Sequence, residues 1–219
     1  MNAEDRKIPS HELTYVRLRD MVLFGHLEPG QPVTIQGLVG DLEAGMTPVR
    51  EAIRRLTAEG ALLPQGNRRV TVPRLTASTL EQLAFARLTI EPKLAELAGA
   101  RMTTALISRL SAIDDQVNAA IRAGDIFGYL QSNHAFHFAL YEASEAAVLV
   151  DMARSLWLRF GPSLRVVAGL PGANSLTDNH AHALAAMRAG DLAGVVEAMR
   201  RDIAQGVDQV RAALESGAV

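Results

Sequence analysis

From Met46 to Gly60 the chain reads Met-Thr-Pro-Val-Arg-Glu-Ala-Ile-Arg-Arg-Leu-Thr-Ala-Glu-Gly, a spacing suited to contact with a nucleic acid. Thr47 is expected to cap a helix, with Pro48 at the first helical position, where its missing N–H costs nothing. Val49, Ile53 and Leu56 recur at i, i+4 and i+7 as one apolar stripe. Thr47, Arg50 and Arg54 fall on another face, and Gly60 supplies the stop. A short amphipathic helix with a cationic front end has the layout of a major-groove reader, whose N-terminal residues meet base edges. Elsewhere, His137 follows Asn133 by four residues, so both project from one helix face. Arg87 and Glu91 are one turn apart and suit an i, i+4 ion pair.

The segments around Met46–Gly60 agree with DNA contact. Leu13, Val16, Leu18, Met21, Val22 and Leu23 predict a first helix, closed by the turn Gly25-His-Leu-Glu-Pro-Gly30. Thr34 is placed to cap a second short helix through Leu38, Val39 and Leu42, and Glu43-Ala-Gly45 turns into the third. Two short helices joined by a tight turn containing glycine form a helix-turn-helix. Beyond Gly60 the period shortens: Ala61–Pro64 and Arg69–Val72 predict strands around Gln65-Gly66-Asn67-Arg68, whose Gly-Asn pair suits a tight turn. A basic hairpin after three helices is a wing. The expected DNA-facing set is Thr34, Thr47, Pro48, Arg50, Arg54, Arg55, Gly66, Asn67 and Arg68, with Arg69 beside it.

Charge narrows the kind of partner. The 219 residues carry a formal −2; residues 1–74 hold ten Lys+Arg against nine Asp+Glu, and the rest twelve against fifteen. Attraction to phosphate must therefore come from a local arginine cluster, which suits specific binding as a dimer and not general DNA coating. The absence of cysteine excludes disulfides and thiolate metal sites. No apolar run reaches the length of a membrane span, and Met1-Asn-Ala-Glu-Asp-Arg-Lys lacks a signal-peptide pattern, so a cytoplasmic protein is expected.

The expected fold is mostly α: a winged helix-turn-helix over residues 1–74, then an antiparallel all-helical bundle over 75–219, joined by the extended Pro73–Ala77. In the bundle, Ser78-Thr-Leu-Glu81 has capping-box spacing, and Pro92 predicts a kink or break near Ile90-Glu91. Further helices are expected at about Thr104–Ala123, from the Asp125 cap through Tyr141, and at Ala147–Leu158 with a break at Gly161-Pro162 before Ser163–Ala168. After a loop at Gly169–Ser175, the last two run over about Leu176–Ala189 and from Asp191 to Leu214.

On Leu27-Glu-Pro-Gly30, Thr47-Pro-Val-Arg-Glu-Ala-Ile-Arg-Arg-Leu56 and Ala58-Glu-Gly60, residues 12–73 resemble the DNA-binding domain of the GntR superfamily of bacterial transcription regulators. That family usually carries Ser-Arg before the Thr-Pro; here Gly45-Met46 stands there, so one DNA-contacting arginine is lost while Arg50 is retained. Arg87-Leu-Thr-Ile-Glu91, Asn133-His-Ala-Phe-His137, and His180 with Asp191 eleven residues on are similar to the ligand-sensing FCD domain of the FadR branch. The resemblance implies a homodimeric, ligand-responsive regulator of operator DNA, most simply a repressor released by its effector.

It also implies a divalent metal, zinc, nickel or manganese, at the floor of an effector pocket. The matching positions are Asn133, His137, His180 and Asp202, where the common pattern has Asp and three His. Two imidazoles, one carboxylate and an amide carbonyl still form a usable donor set, weaker than three imidazoles; the alternative is a metal-free polar pocket. By the same resemblance Arg87 lies over the pocket, with Arg165 as a second cation, which would favour a small organic acid. His134 and His182 are expected to face solvent or stand behind the ligands, and Trp157, Phe160 and Tyr129 to pack the core. The rival function is a metal-dependent hydrolase or isomerase on His137, His180 and Asp202, for which there is no nucleophile–base spacing and no nearby glutamate base.

Overall fold

The computed structural model describes residues 10–169 and 177–217. The N-terminal unit contains α1 (Ser10–Leu23), β1 (Pro32–Thr34), α2 (Ile35–Asp41), α3 (Met46–Ala58), β2 (Leu63–Gln65) and β3 (Arg69–Thr71). The bundle contains α4 (Ala77–Gly99), α5 (Thr104–Ala123), α6 (Ile126–Glu142), α7 (Ala147–Ala168), α8 (Asn179–Ala189) and α9 (Leu192–Glu215).

The stripe on α3 is buried as its spacing requires: Val49, Ala52, Ile53 and Leu56 pack with Leu18 and Val22 of α1 and Leu38 of α2. Burial of each such side chain contributes roughly 1.5–3 kcal/mol. The helix starts earlier than expected. Gly45 is its N-cap and its carbonyl accepts from Val49 N, so Pro48 lies within the first turn and Thr47 is not the cap. The wing has a third strand that short-range patterning did not predict. The order is β1-β3-β2, all antiparallel, with Gln65 opposite Arg69 across Gly66–Arg68. In that turn the left-handed residues are Asn67 and Arg68, at φ 61° and 57°.

Side-chain caps set several bundle boundaries. Thr103, Asp125 and Asp191 accept from the backbone N–H three residues on, and Gly124 in a left-handed conformation closes α5. Thr76, not the Ser78 box, caps α4 through Thr79 N. Asp178 caps α8 at Asn179, later than expected; Leu176 and most of the Gly169–Ser175 loop lie outside the described residues.

The break expected at Gly161-Pro162 does not occur, and Pro92 does not interrupt its helix. Helix α4 runs unbroken through Pro92; the Leu88 carbonyl that Pro92 cannot satisfy accepts from Arg200 Nη1 of α9 at 3.5 Å. Helix α7 runs unbroken through Gly161-Pro162. Gly161 serves a close approach instead: a Cβ there would strike the Leu23 carbonyl at the end of α1. The same seam holds Arg159 Nε donating to Glu59 O at 3.0 Å, and Arg165 against Gly25 and over the Phe127 ring. His26 stacks on the other side of that seam, 4.3 Å from Phe127. Helix α7 therefore belongs to the bundle and also supports the winged helix.

Candidate functional site

On α3, Thr47, Arg50 and Arg54 are exposed together, and Pro48 is half-buried beside them. Arg54 is held in two-point fashion by Glu51, Nε to Oε2 at 2.9 Å and Nη2 to Oε1 at 2.7 Å. Of the three arginines on α3, only Arg50 lacks an ion pair among the described residues. Arg55 departs from the expected DNA-facing set. It bonds Glu12 Oε2 at 2.6 Å and lies 3.6 Å over the Tyr15 ring, binding α3 to α1. This follows from the helix period: Arg55 is about 100° around from Arg54. Gly66, Asn67, Arg68 and Arg69 are exposed at the wing. The Arg68 carbonyl accepts from Ile35 N, and Thr34 Oγ1 accepts from Gly37 N at 2.9 Å, so the wing tip is tied to the start of α2.

The second site lies inside the bundle. α6 brings Asn133 and His137, α8 brings His180, and α9 brings Asp202. Asp202 Oδ2 is 2.9 Å from His137 Nε2, His180 Nε2 is 3.5 Å from His137 Nε2, and Asp202 Oδ1 is 3.9 Å from His180 Nε2. His180, Asp202 and Asn133 open onto a cavity of about 450 Å³ between α5, α6, α7 and α9, and His137 lies behind them with 1% of its side chain exposed. Asp202 pairs with both histidines.

Hydrogen-bond counting fixes what this cluster can hold. Tyr141 has one hydroxyl proton, donated to Glu91 Oε2 at 2.7 Å, so its oxygen accepts from His137 Nδ1 at 2.9 Å. His180 Nδ1 donates to Asp114 Oδ1 at 3.1 Å. With both Nδ1 atoms committed as donors, neutral rings present two bare Nε2 atoms to each other and to a carboxylate. Burial is the main cause holding His137 below its ordinary range, against the pull of Asp202. Burial alone would lower His180 too, but Asp114 and Asp202 raise it. Asp202, which burial would raise, is brought down to about 2 by His137 and His180. Three such acceptors within 4.8 Å of one another need a positive charge among them, either a proton shared on one Nε2 or a metal ion. Bonds of about 2.0–2.2 Å to one tetrahedral ion would put donor atoms roughly 3.3–3.6 Å apart; the two Nε2 atoms are 3.5 Å apart, and the two Asp202 oxygens lie 2.9 Å and 3.9 Å from them. The residues therefore fit a divalent metal, and Asp114 and Tyr141 hold the rings as outer partners of metal-bound imidazoles do.

Comparison with known proteins now decides the assignment. Residues 11–72 match the bacterial regulatory proteins of the gntR family, and residues 82–205 match the FCD domain. The chain belongs to the GntR family of regulators, with an FCD domain. It is 28% identical over 194 residues to the HTH-type transcriptional regulator McbR of Escherichia coli K12, covering 85% of this chain and 88% of that one. It is 31% identical over 138 residues to the Nta operon transcriptional regulator of Aminobacter aminovorans, covering 62% and 64%. The solved structure of E. coli McbR/YncC superposes with a TM-score of 0.84 at 27% identity, over 93% of this chain and 99% of that one. A GntR structure from Rhodococcus shares the fold, with a TM-score of 0.75 at 20% identity, over 93% and 98%. The regulator is thus a DNA-binding transcription factor and not an enzyme. Among the described residues no helix is long and apolar enough to cross a membrane.

The two cations expected over the pocket are elsewhere. Arg87 is buried, its side chain 3% exposed, with Nε donating to Glu91 at 2.5 Å and its guanidinium over the Trp157 and Phe160 rings. Arg165 lies in the seam to the winged helix. Neither lines the cavity. Trp157 and Phe160 pack the core as expected, but Tyr129 lines the cavity, its hydroxyl pushed up to about 12 by burial and by Asp202. His182 is exposed, whereas His134 stacks on Phe138 at 4.3 Å and meets Phe24 of the DNA-binding unit edge-on.

Sequence reasoning missed Asp114, Tyr141 and the wider role of Glu91. Asp114 had a signal: with Leu110 and Val117 it falls at i, i+4 and i+7, a carboxylate inside an apolar stripe. Tyr141 had one as well, four residues after His137 on the same face.

Proposed function

We propose that the regulator acts in the cytoplasm as a homodimer whose two winged helices grip a pseudo-palindromic operator, and that a small effector entering the bundle cavity releases it. Thr47, Arg50 and Arg54 face the major groove, Arg50 towards base edges and Arg54 towards the flanking phosphate, while Arg68 and Arg69 of the wing reach the backbone or minor groove. His137, His180 and Asp202 hold one zinc, nickel or manganese ion, with the Asn133 carbonyl available as a fourth donor. When bound, that ion would supply the positive charge that an acidic effector group needs, the effector taking the position that Asn133 otherwise fills. This matters because Arg87 and Arg165, the cations expected to receive an organic acid, do not line the cavity.

The observation that carries the reading is that one helix serves both sites. Leu164 and Val167 of α7 line the cavity, and Gly161, Arg159 and Arg165 of the same helix hold the winged helix. An effector that shifts α7 therefore shifts the reading head, by no more than its differential affinity for the two arrangements. The test is operator affinity of EDTA-treated and zinc-loaded protein, on DNA selected from a random pool, across a panel of small acids. An acid that weakens operator binding in wild type but not in His180→Ala supports the reading. Equal responses from the two proteins contradict it.

A further inference from the structure

The cavity's remaining wall specifies a second property of the effector, given the ligand-responsive reading above. Asn179 sits on α8 beside His180, is 3% exposed and faces the cavity. A chain of hydrogen bonds fixes its amide orientation. The Thr177 carbonyl can only accept, so it takes Gln205 Nε2 at 3.3 Å, which leaves Gln205 Oε1 to accept from Asn179 Nδ2 at 3.4 Å. Asn179 Oδ1 is then left buried without a hydrogen-bond partner among the described residues. A buried acceptor in that state requires a donor, and Asn179 stands in the cavity wall.

The charges around it have one sign. Asp114, Asp125, Asp178 and Asp202 all line the cavity; among the described residues lining it there is no lysine or arginine, and His180 is the one basic side chain. Asp125 and Asp178 each spend one oxygen on a helix cap, accepting from Gly128 N and Ala181 N, and keep the other. The segment Leu170–Leu176 contains no ionisable residue, so it adds no cation. A metal at the histidine end could take one anionic group. A second anionic group would meet carboxylates and a bare carbonyl oxygen.

We propose that the effector is an amino-bearing acid, whose carboxylate is directed to the His137/His180/Asp202 end and whose ammonium donates to Asn179 Oδ1 among the neighbouring carboxylates. The cavity volume is within the range of small-molecule sites.

The test compares 6-aminohexanoate with adipate, which have the same carbon chain but differ in whether the far end is an amine or a second carboxylate. Calorimetry on the full-length protein, EDTA-treated and zinc-loaded, measures both. The zinc-loaded protein should prefer the amino acid by roughly tenfold, the scale of one charge-assisted hydrogen bond. Asn179→Leu should lose that preference while retaining zinc stoichiometry and melting cooperatively. Adipate binding as well as or better than 6-aminohexanoate, no binding of 6-aminohexanoate, or an undiminished preference in Asn179→Leu each overturns the proposal. Operator affinity of the same samples without ligand is read separately. Failure there removes the regulator reading itself, whereas intact operator binding with no amine preference removes only this inference.

Discussion

Two of the regulator's within-helix arginine–glutamate pairs stand in opposite surroundings. On α3, Arg54 and Glu51 are a turn apart in solvent, with side chains 70% and 41% exposed. On α4, Arg87 and Glu91 are a turn apart in the bundle core, at 3% and 0%. The exposed pair is weak because water and salt compete for both partners, so a DNA phosphate can take Arg54 from Glu51 at little cost. The buried pair has no such alternative. Glu91 also accepts from Tyr141 at 2.7 Å and Trp157 at 3.0 Å, and Tyr141 orients His137. The same residue types thus serve a replaceable partner in one place and a fixed framework in the other. Burial, more than spacing, decides which.

Removing one member of the buried pair should give the largest effect. Glu91→Ala should lower stability by about 3–5 kcal/mol in urea unfolding, because it leaves Arg87 charged and unpaired in the core. A loss no larger than that of an exposed alanine substitution would break the contrast. His134 extends the comparison to pH. Burial, assisted by the charges of His137, Arg19 and Arg154, lowers it from 6.5 to about 3. A depressed folded-state value contributes stability that is present above 6.5 and lost as pH falls towards 3. Between pH 7 and 5 the wild type should lose about 1–2 kcal/mol more than His134→Phe; parallel pH curves would contradict this.

Smaller effects separate the partners of the metal cluster from the exposed charges. Asp114→Ala should weaken zinc binding roughly ten- to a hundredfold, because His180 loses the acceptor that orients it. Unchanged affinity would remove Asp114 from the site. Arg54→Ala should weaken operator and random DNA alike and lower the salt slope by about 1, as expected for a phosphate contact. Glu51→Ala should tighten both slightly, by freeing Arg54.

How much of this could be read from the sequence depended on how local the cause was. The span of α5 and the starts of α6 and α9 were legible because Gly124, Asp125 and Asp191 act within a few residues. The stripe Val49, Ile53, Leu56 was legible for the same reason. Strand β1 was not, because its three residues form a strand only by pairing with β3, more than thirty positions away. At Pro162 the expected break did not form, and at Pro92 the helix continues because Arg200 satisfies the freed Leu88 carbonyl. In the cluster, ligand types followed from family resemblance. The groups that set ring orientation did not, because Asp114 meets His180, and Glu91 meets Tyr141, across helices.

The central claim is that the front of α3 reads bases, and it is tested most directly by Arg50→Ala binding to selected operator and to random DNA at one fixed salt concentration. The substitution should weaken operator binding by roughly 1–3 kcal/mol and random DNA much less, so that the specificity ratio falls. Equal losses on both DNAs would mean that Arg50 contacts only phosphate, contradicting the base-reading role.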